Sequence, residues 1–116
     1  IPARFPGVRV TDDPATALAD ADVDAVVVAT PTSTHYALAR AALLAGKHVL
    51  VEKPIAARTD HGLELCELAQ RCQRVLMVGH VFLHNGGVRR VKEYIDTGAL
   101  GRVYYVAMVR TNLGPI

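Results

Sequence analysis

The sequence of 116 residues predicts an α/β fold: part of an open parallel sheet, its first strands missing, running into the start of a second α/β domain. Three observations predict it. Short apolar runs alternate with helical stretches. The connections between them are a few residues long. The runs are apolar on both faces, as in parallel strands covered from both sides. Right-handed crossovers then place helices on both faces of the sheet. The change of domain is placed near Gly79, giving 1–79 as the closing part of the first domain and 80–116 as the beginning of the second.

Each element has its own signal. Val8 to Val10 reads as a short strand, stopped by Asp12-Asp13-Pro14, and Ala15 to Ala19 as a short helix. Val23 to Ala29 is a buried strand, broken by Thr30-Pro31-Thr32. A helix is predicted from Ser33 to Ala45, capped by Thr32 or Ser33 and ended by Gly46 in a left-handed conformation. Its apolar stripe is Ala37, Leu38, Ala41, Ala42 and Ala45. His48 to Val51 is the next buried strand, ended by Glu52-Lys53-Pro54. Thr59 caps a helix to Gln73, with Asp60 favouring the helix dipole and Leu63, Cys66 or the neighbours Leu65 and Leu68, and Ala69 facing inward. Val75 to Val78 is a third buried strand. Val88 to Asp96 is a helix stopped by Gly98, and Arg102 to Thr111 alternates as a last strand.

Composition excludes several classes of function. Apolar residues make up 51% and charged residues 21%, the balance of a globular core. A net charge of +2 with scattered basic residues gives no nucleic-acid or anionic-membrane surface, and 5% aromatics give no base-stacking platform. No apolar run nears the ~20 residues of a membrane span. The chain begins at Ile1 and not at Met, so a start further upstream is expected. Cys66 and Cys72 fall in one predicted helix with a rise of ~9 Å between them, beyond the ~7 Å that a disulfide allows. Buried free thiols in a reducing compartment are expected.

In open α/β sheets, ligands bind beyond the carboxyl ends of the strands. Polar residues gather at all three such ends here: Thr30-Pro31-Thr32, Glu52-Lys53-Pro54 and Gly79-His80. Lys53 leaves a buried strand between an acid and a proline that holds it extended. It can bond a ribose or substrate hydroxyl, or assist proton transfer. The same residues also fit a solvated turn lysine paired with Glu52. Thr30, Thr32 and His35 stand before a helix N-terminus, where phosphate or ribose contacts occur; from the residues alone, plain capping by Thr32 or Ser33, with His35 exposed, is the better reading. His80 and His84 have helical metal-ligand spacing, but Gly79 argues against a helix and no third ligand accompanies them, so no metal is expected. Arg110 and Asn112 share a strand face that can take a carboxylate or phosphate, or simply be solvated. No G-x-G-x-x-G loop follows any strand.

Two stretches carry a family resemblance. They are Asp24-Ala25-Val26-Val27-Val28-Ala29-Thr30-Pro31 with His35, and Ala45-Gly46-Lys47-His48-Val49-Leu50-Val51-Glu52-Lys53-Pro54. Together they resemble the glucose-fructose oxidoreductase/inositol dehydrogenase (Gfo/Idh/MocA) family. Val78-Gly79-His80, Asn85 and Gly98-Ala99-Leu100-Gly101-Arg102 are similar to its junction into the second domain. The resemblance implies a Rossmann-type domain binding NAD or NADP, and hydride transfer to or from a hydroxyl carbon of a sugar, inositol or related compound. It implies Lys53 as the active-site lysine, Thr30, Pro31, Thr32 and His35 along the cofactor, Glu52 and Pro54 shaping the site, and His80 entering the pocket.

The run from His80 to Asn85, with Arg110 to Gly114, looks closest to dehydrogenases of nucleotide sugars such as UDP-N-acetylhexosamine derivatives. Asn85, Arg110 and Asn112 are then substrate-side candidates, although Gly86-Gly87 replaces the family's Pro-Ala pair. The resemblance further implies a cytoplasmic homo-oligomer, a phosphate loop upstream of Ile1, and a second catalytic group downstream of Ile116. The chain by itself is therefore expected to be inactive. Two alternatives remain: a non-catalytic Rossmann-like module that binds a ligand or partner, and a degenerate remnant.

Overall fold

A computed structural model describes residues 4–109. Contacts divide the chain after His80 into two compact units. In the first, α1 (Pro14–Ala19), β1 (Ala25–Val28), α2 (Thr32–Leu44), β2 (His48–Val51), α3 (Thr59–Arg71) and β3 (Leu76–Val78) follow in order. The second holds a 3-10 turn (Val81–His84) and α4 (Gly86–Asp96). The strands form a parallel three-stranded sheet in the order β1-β2-β3. Among the described residues no helix is long and apolar enough to cross a membrane.

Local chemistry sets the element ends. Pro14 is at the first turn of α1, where its missing N–H costs nothing, and Asp13 caps the helix by accepting from the Ala15 amide at 3.0 Å. Helix α2 has no side-chain cap from Thr32 or Ser33; Pro31 takes the cap position, and Thr34 Oγ1 donates to the Pro31 carbonyl at 2.8 Å. Its other end follows the prediction. Gly46 has φ +75°, its amide donates to Leu43 O, and the Lys47 amide donates to Ala42 O, which together close the last turn. Thr59 begins α3 without capping it, since Arg58 occupies the cap position.

The core lies between one face of the sheet and helices α2 and α3. Val28, Val49 and Val51 meet Ala39, Ala42, Leu43, Leu65, Leu68 and Ala69. Leu43 and Leu65 are fully buried, each a gain of about 1.5–3 kcal/mol over exposure. Outside this core, Glu64 on α3 clamps the two helices. It accepts from the Tyr36 hydroxyl at 2.6 Å and from Arg40 Nε at 3.0 Å. The Tyr36 bond, then Arg40, hold the Glu64 carboxyl below its ordinary range. The same bond raises the Tyr36 hydroxyl.

Several expectations are corrected. Among the described residues the strands are covered on one face only: Val27 and Met77, level in the register, are 67% and 42% exposed, because α2 and α3 cover the opposite face. The α2 stripe is His35, Ala39, Ala42 and Leu43, with Ala37, Ala41 and Ala45 outside it. On α3, Gly62 is buried and Leu63 exposed. Val8 to Val10 and the described part of 102–111 form no strand, since neither has a ladder partner among the described residues. Cys66 is exposed and Cys72 half-buried, both as free thiols. Cys66 falls outside the stripe that packs inward.

Candidate active site

The parallel register aligns the strand ends. Val28, Val51 and Val78 are level, and the ladder runs one step further: the Glu52 amide donates to Val28 O and the Gly79 amide to Val51 O, both at 2.9 Å. Ala29, Glu52 and Gly79 therefore leave the sheet side by side. The three clusters of polar residues converge on this one edge, and each has a distinct local geometry.

At the β1 exit, Thr30 Oγ1 lies 2.7 Å from Thr34 Oγ1. Since the Thr34 proton goes to Pro31 O, Thr30 is the donor of that pair. Its lone pairs stay available to a ligand hydroxyl. Thr32 is half-buried at the start of α2. His35 is not exposed in the first turn; it is 1% exposed, with Nε2 2.8 Å from Thr30 O and Nδ1 2.8 Å from Pro54 O. Its ring has no polar atom left for a ligand.

At the β2 exit, the Glu52 carboxylate accepts from the Lys53 amide at 3.2 Å and lies against Gly79, where an added Cβ would meet it at 3.1–3.3 Å. Glu52 thus bonds the lysine's backbone and not its ammonium. Lys53 is exposed, and its Nζ bonds no described residue. The Lys53–Pro54 peptide bond is cis. At the β3 exit, His80 is exposed and its amide donates to Val78 O at 2.7 Å.

Other candidates are placed differently. Asn85 caps α4, its Oδ1 accepting from the Val88 amide at 3.1 Å. His84 ends the 3-10 turn, and no group of three or more metal-ligating side chains occurs among the described residues. Arg110 and Asn112 lie outside the described residues. Sequence reasoning missed Thr34 and the fit of Glu52 against Gly79. A hydroxyl three residues past a helix-starting proline, and a glycine at the strand exit level with an acid, are the signals that mark them.

An ammonium that bonds no described residue, a hydroxyl with open lone pairs and exposed backbone gather at one sheet edge, the carboxyl ends of the strands, where open α/β sheets bind ligands. Residues 2–80 match the model of an oxidoreductase family with the NAD-binding Rossmann fold. The chain is 39% identical over 90% of its length to 1-carboxy-3-chloro-3,4-dihydroxycyclohexa-1,5-diene dehydrogenase of Comamonas testosteroni, covering 26% of that protein. It is 38% identical over 97% of its length to inositol 2-dehydrogenase of Rhodococcus jostii, covering 31% of it.

Among solved structures, the WlbA dehydrogenase of Bordetella pertussis, in complex with NADH and UDP-GlcNAcA, superposes with a TM-score of 0.82 at 32% identity, over 89% of this chain and 30% of that one. The 3-ketoreductase KijD10 of Actinomadura kijaniata, with NADP and TDP-benzene, gives 0.74 at 38% identity, over 84% and 30%. The chain thus spans about a third or less of the length of the proteins it matches. With the Rossmann-type sheet, the polar strand exits and the family match over residues 2–80, this chain belongs to the Gfo/Idh/MocA oxidoreductase family.

Proposed function

We propose that this chain is part of an NAD(P)-dependent oxidoreductase that moves hydride between the nicotinamide and a hydroxyl-bearing carbon of a sugar, inositol or nucleotide sugar. The observation that carries the reading is the exposed Lys53 ammonium, bonded to no described residue, at the shared strand exit. The activities of two relatives, an inositol 2-dehydrogenase and a 3-ketoreductase bound to TDP-benzene, support the substrate class.

The bound nicotinamide supplies the site that takes up or releases hydride. Thr30, Pro31 and Thr32 form the cofactor side, and Glu52 and Pro54 shape the loop that carries Lys53. The lysine donates to the reacting oxygen and holds a proton there. His80 borders the pocket. Asn85, Arg110 and Asn112 belong to the substrate side, with 80–116 as the start of the substrate domain; Asn85 acts there through its cap on α4. A cytoplasmic homo-oligomer completes the reading.

Two experiments test it. A chimera in which these 116 residues replace the matching segment of the Rhodococcus inositol dehydrogenase should oxidise inositol with a nicotinamide cofactor. Lys53→Met should lower its kcat by about 100-fold or more. Full activity in that variant would remove Lys53 from the chemistry. The 116-residue chain alone should neither turn over nor bind NADH tightly. A fluorescence titration giving micromolar affinity would overturn that second statement.

A further inference from the structure

His35 occupies a buried position on α2 whose other buried residues are Ala39, Ala42 and Leu43. An apolar side chain would satisfy burial at that position. The imidazole does something more: it spans two loops that leave different strands. Nε2 reaches Thr30 O, at the exit of β1, and Nδ1 reaches Pro54 O, just past Lys53, each at 2.8 Å. Both partners are carbonyl oxygens and only accept. A singly protonated ring makes one bond at a time, a doubly protonated ring both. Without the ring, the carbonyls lose the one buried donor that a singly protonated ring shares between them, or the two of a doubly protonated ring. On its other side Lys53 is fixed by its amide bond to Glu52. The lysine backbone is thus held from two directions, while its side chain is exposed.

We infer that His35 is a positioning residue: its ring bridges the exits of β1 and β2 and so fixes the loop from which Lys53 presents its ammonium. The bridge stands on its own geometry; only its importance for chemistry rests on the role proposed for Lys53.

The test uses the 116-residue chain labelled with nitrogen-15 and carbon-13. In the unsubstituted chain, the His35 ring nitrogens should show couplings across hydrogen bonds to the carbonyl carbons of Thr30 and Pro54. A ring lacking either coupling and exchanging freely with water overturns the bridge, whatever Lys53 does. In His35→Ala, amide exchange at Lys53, whose N–H donates to the Glu52 carboxylate, should quicken by about tenfold, the order of one net hydrogen bond, while Val51 and Leu65 keep their protection. Added imidazole should reverse the change. Equal acceleration at Val51 and Leu65 would mean that His35 merely stabilises the core, and sinks the positioning role. If His35→Ala does not fold, the couplings in the unsubstituted chain decide. Coupling intact alongside an active Lys53→Met chimera would retain the bridge and reject the function assigned to the lysine.

Discussion

Helices α3 and α4 are of similar length and both carry an apolar stripe, yet they are stabilised differently. Helix α3 buries Gly62, Leu65, Leu68 and Ala69 against the sheet and α2. Helix α4 buries no residue: Val88, Val91, Tyr94 and Ile95 are 46%, 53%, 41% and 39% exposed. Among the described residues, what holds α4 is local. Asn85 caps its start, Arg90 pairs with Glu93 and lies over the Tyr94 ring, and Lys92 pairs with Asp96. An amphipathic pattern therefore states which face needs cover, and says nothing of what supplies it.

The contrast can be broken most sharply at Leu65. Leu65→Ala should cost about 2–5 kcal/mol in urea unfolding, through lost burial and the cavity left behind. Val91→Ala on α4 should cost less than about 0.5 kcal/mol. Comparable losses at the two positions would show that α4 is buried after all. Removing the α4 cap sharpens the same point. Asn85→Ala should cost about 1 kcal/mol, read as faster amide exchange in α4 with none in β2.

The smallest effect concerns Asp60 on α3, whose carboxyl is brought down to about 2, chiefly by its bond to the Arg58 guanidinium. A folded value below the ordinary 3.8 means that the stabilisation is present above that value and lost as pH falls towards about 2. The pair is well exposed, so the loss should be slight. Asp60→Asn should lack that portion of the acid-induced fall in urea midpoint; an unchanged profile would show that the pair contributes nothing.

The sequence showed some parts of this architecture better than others. The strand at His48 to Val51 was legible to the residue, because a β-branched apolar run is bounded by Gly46-Lys47 and by Glu52-Lys53-Pro54. The exit residues were legible for the same reason. The α2 stripe was misplaced because seven of the residues in Thr32–Leu44 are alanine or leucine, which gives little contrast between faces, and because His35 reads as polar. The alternation of Val8 to Val10 and of 102–109 suggested strands, but pairing requires a neighbour that no local pattern encodes. The His35 bridge was hidden for a related reason: its acceptors are main-chain carbonyls, which every residue possesses.

The edge of the sheet opposite the strand exits is fastened by side chains bonded to main-chain atoms. Lys47 Nζ donates to Asp20 O at 2.7 Å, Arg74 Nε to Gly46 O, and the Val75 amide to His48 Nδ1 at 2.9 Å. This divides the first unit into a frame and a bench. Extra residues in the surface turns near Asp22 or Gln73 would lengthen the chain while leaving the level of the exits unchanged. A single residue inserted within His48–Val51 would instead turn the strand's side chains to opposite faces and carry Lys53 about 3.3 Å along the strand axis. Variation in length among functional descendants of this segment should therefore collect at the frame's turns, while the four residues leading to Glu52 keep their number.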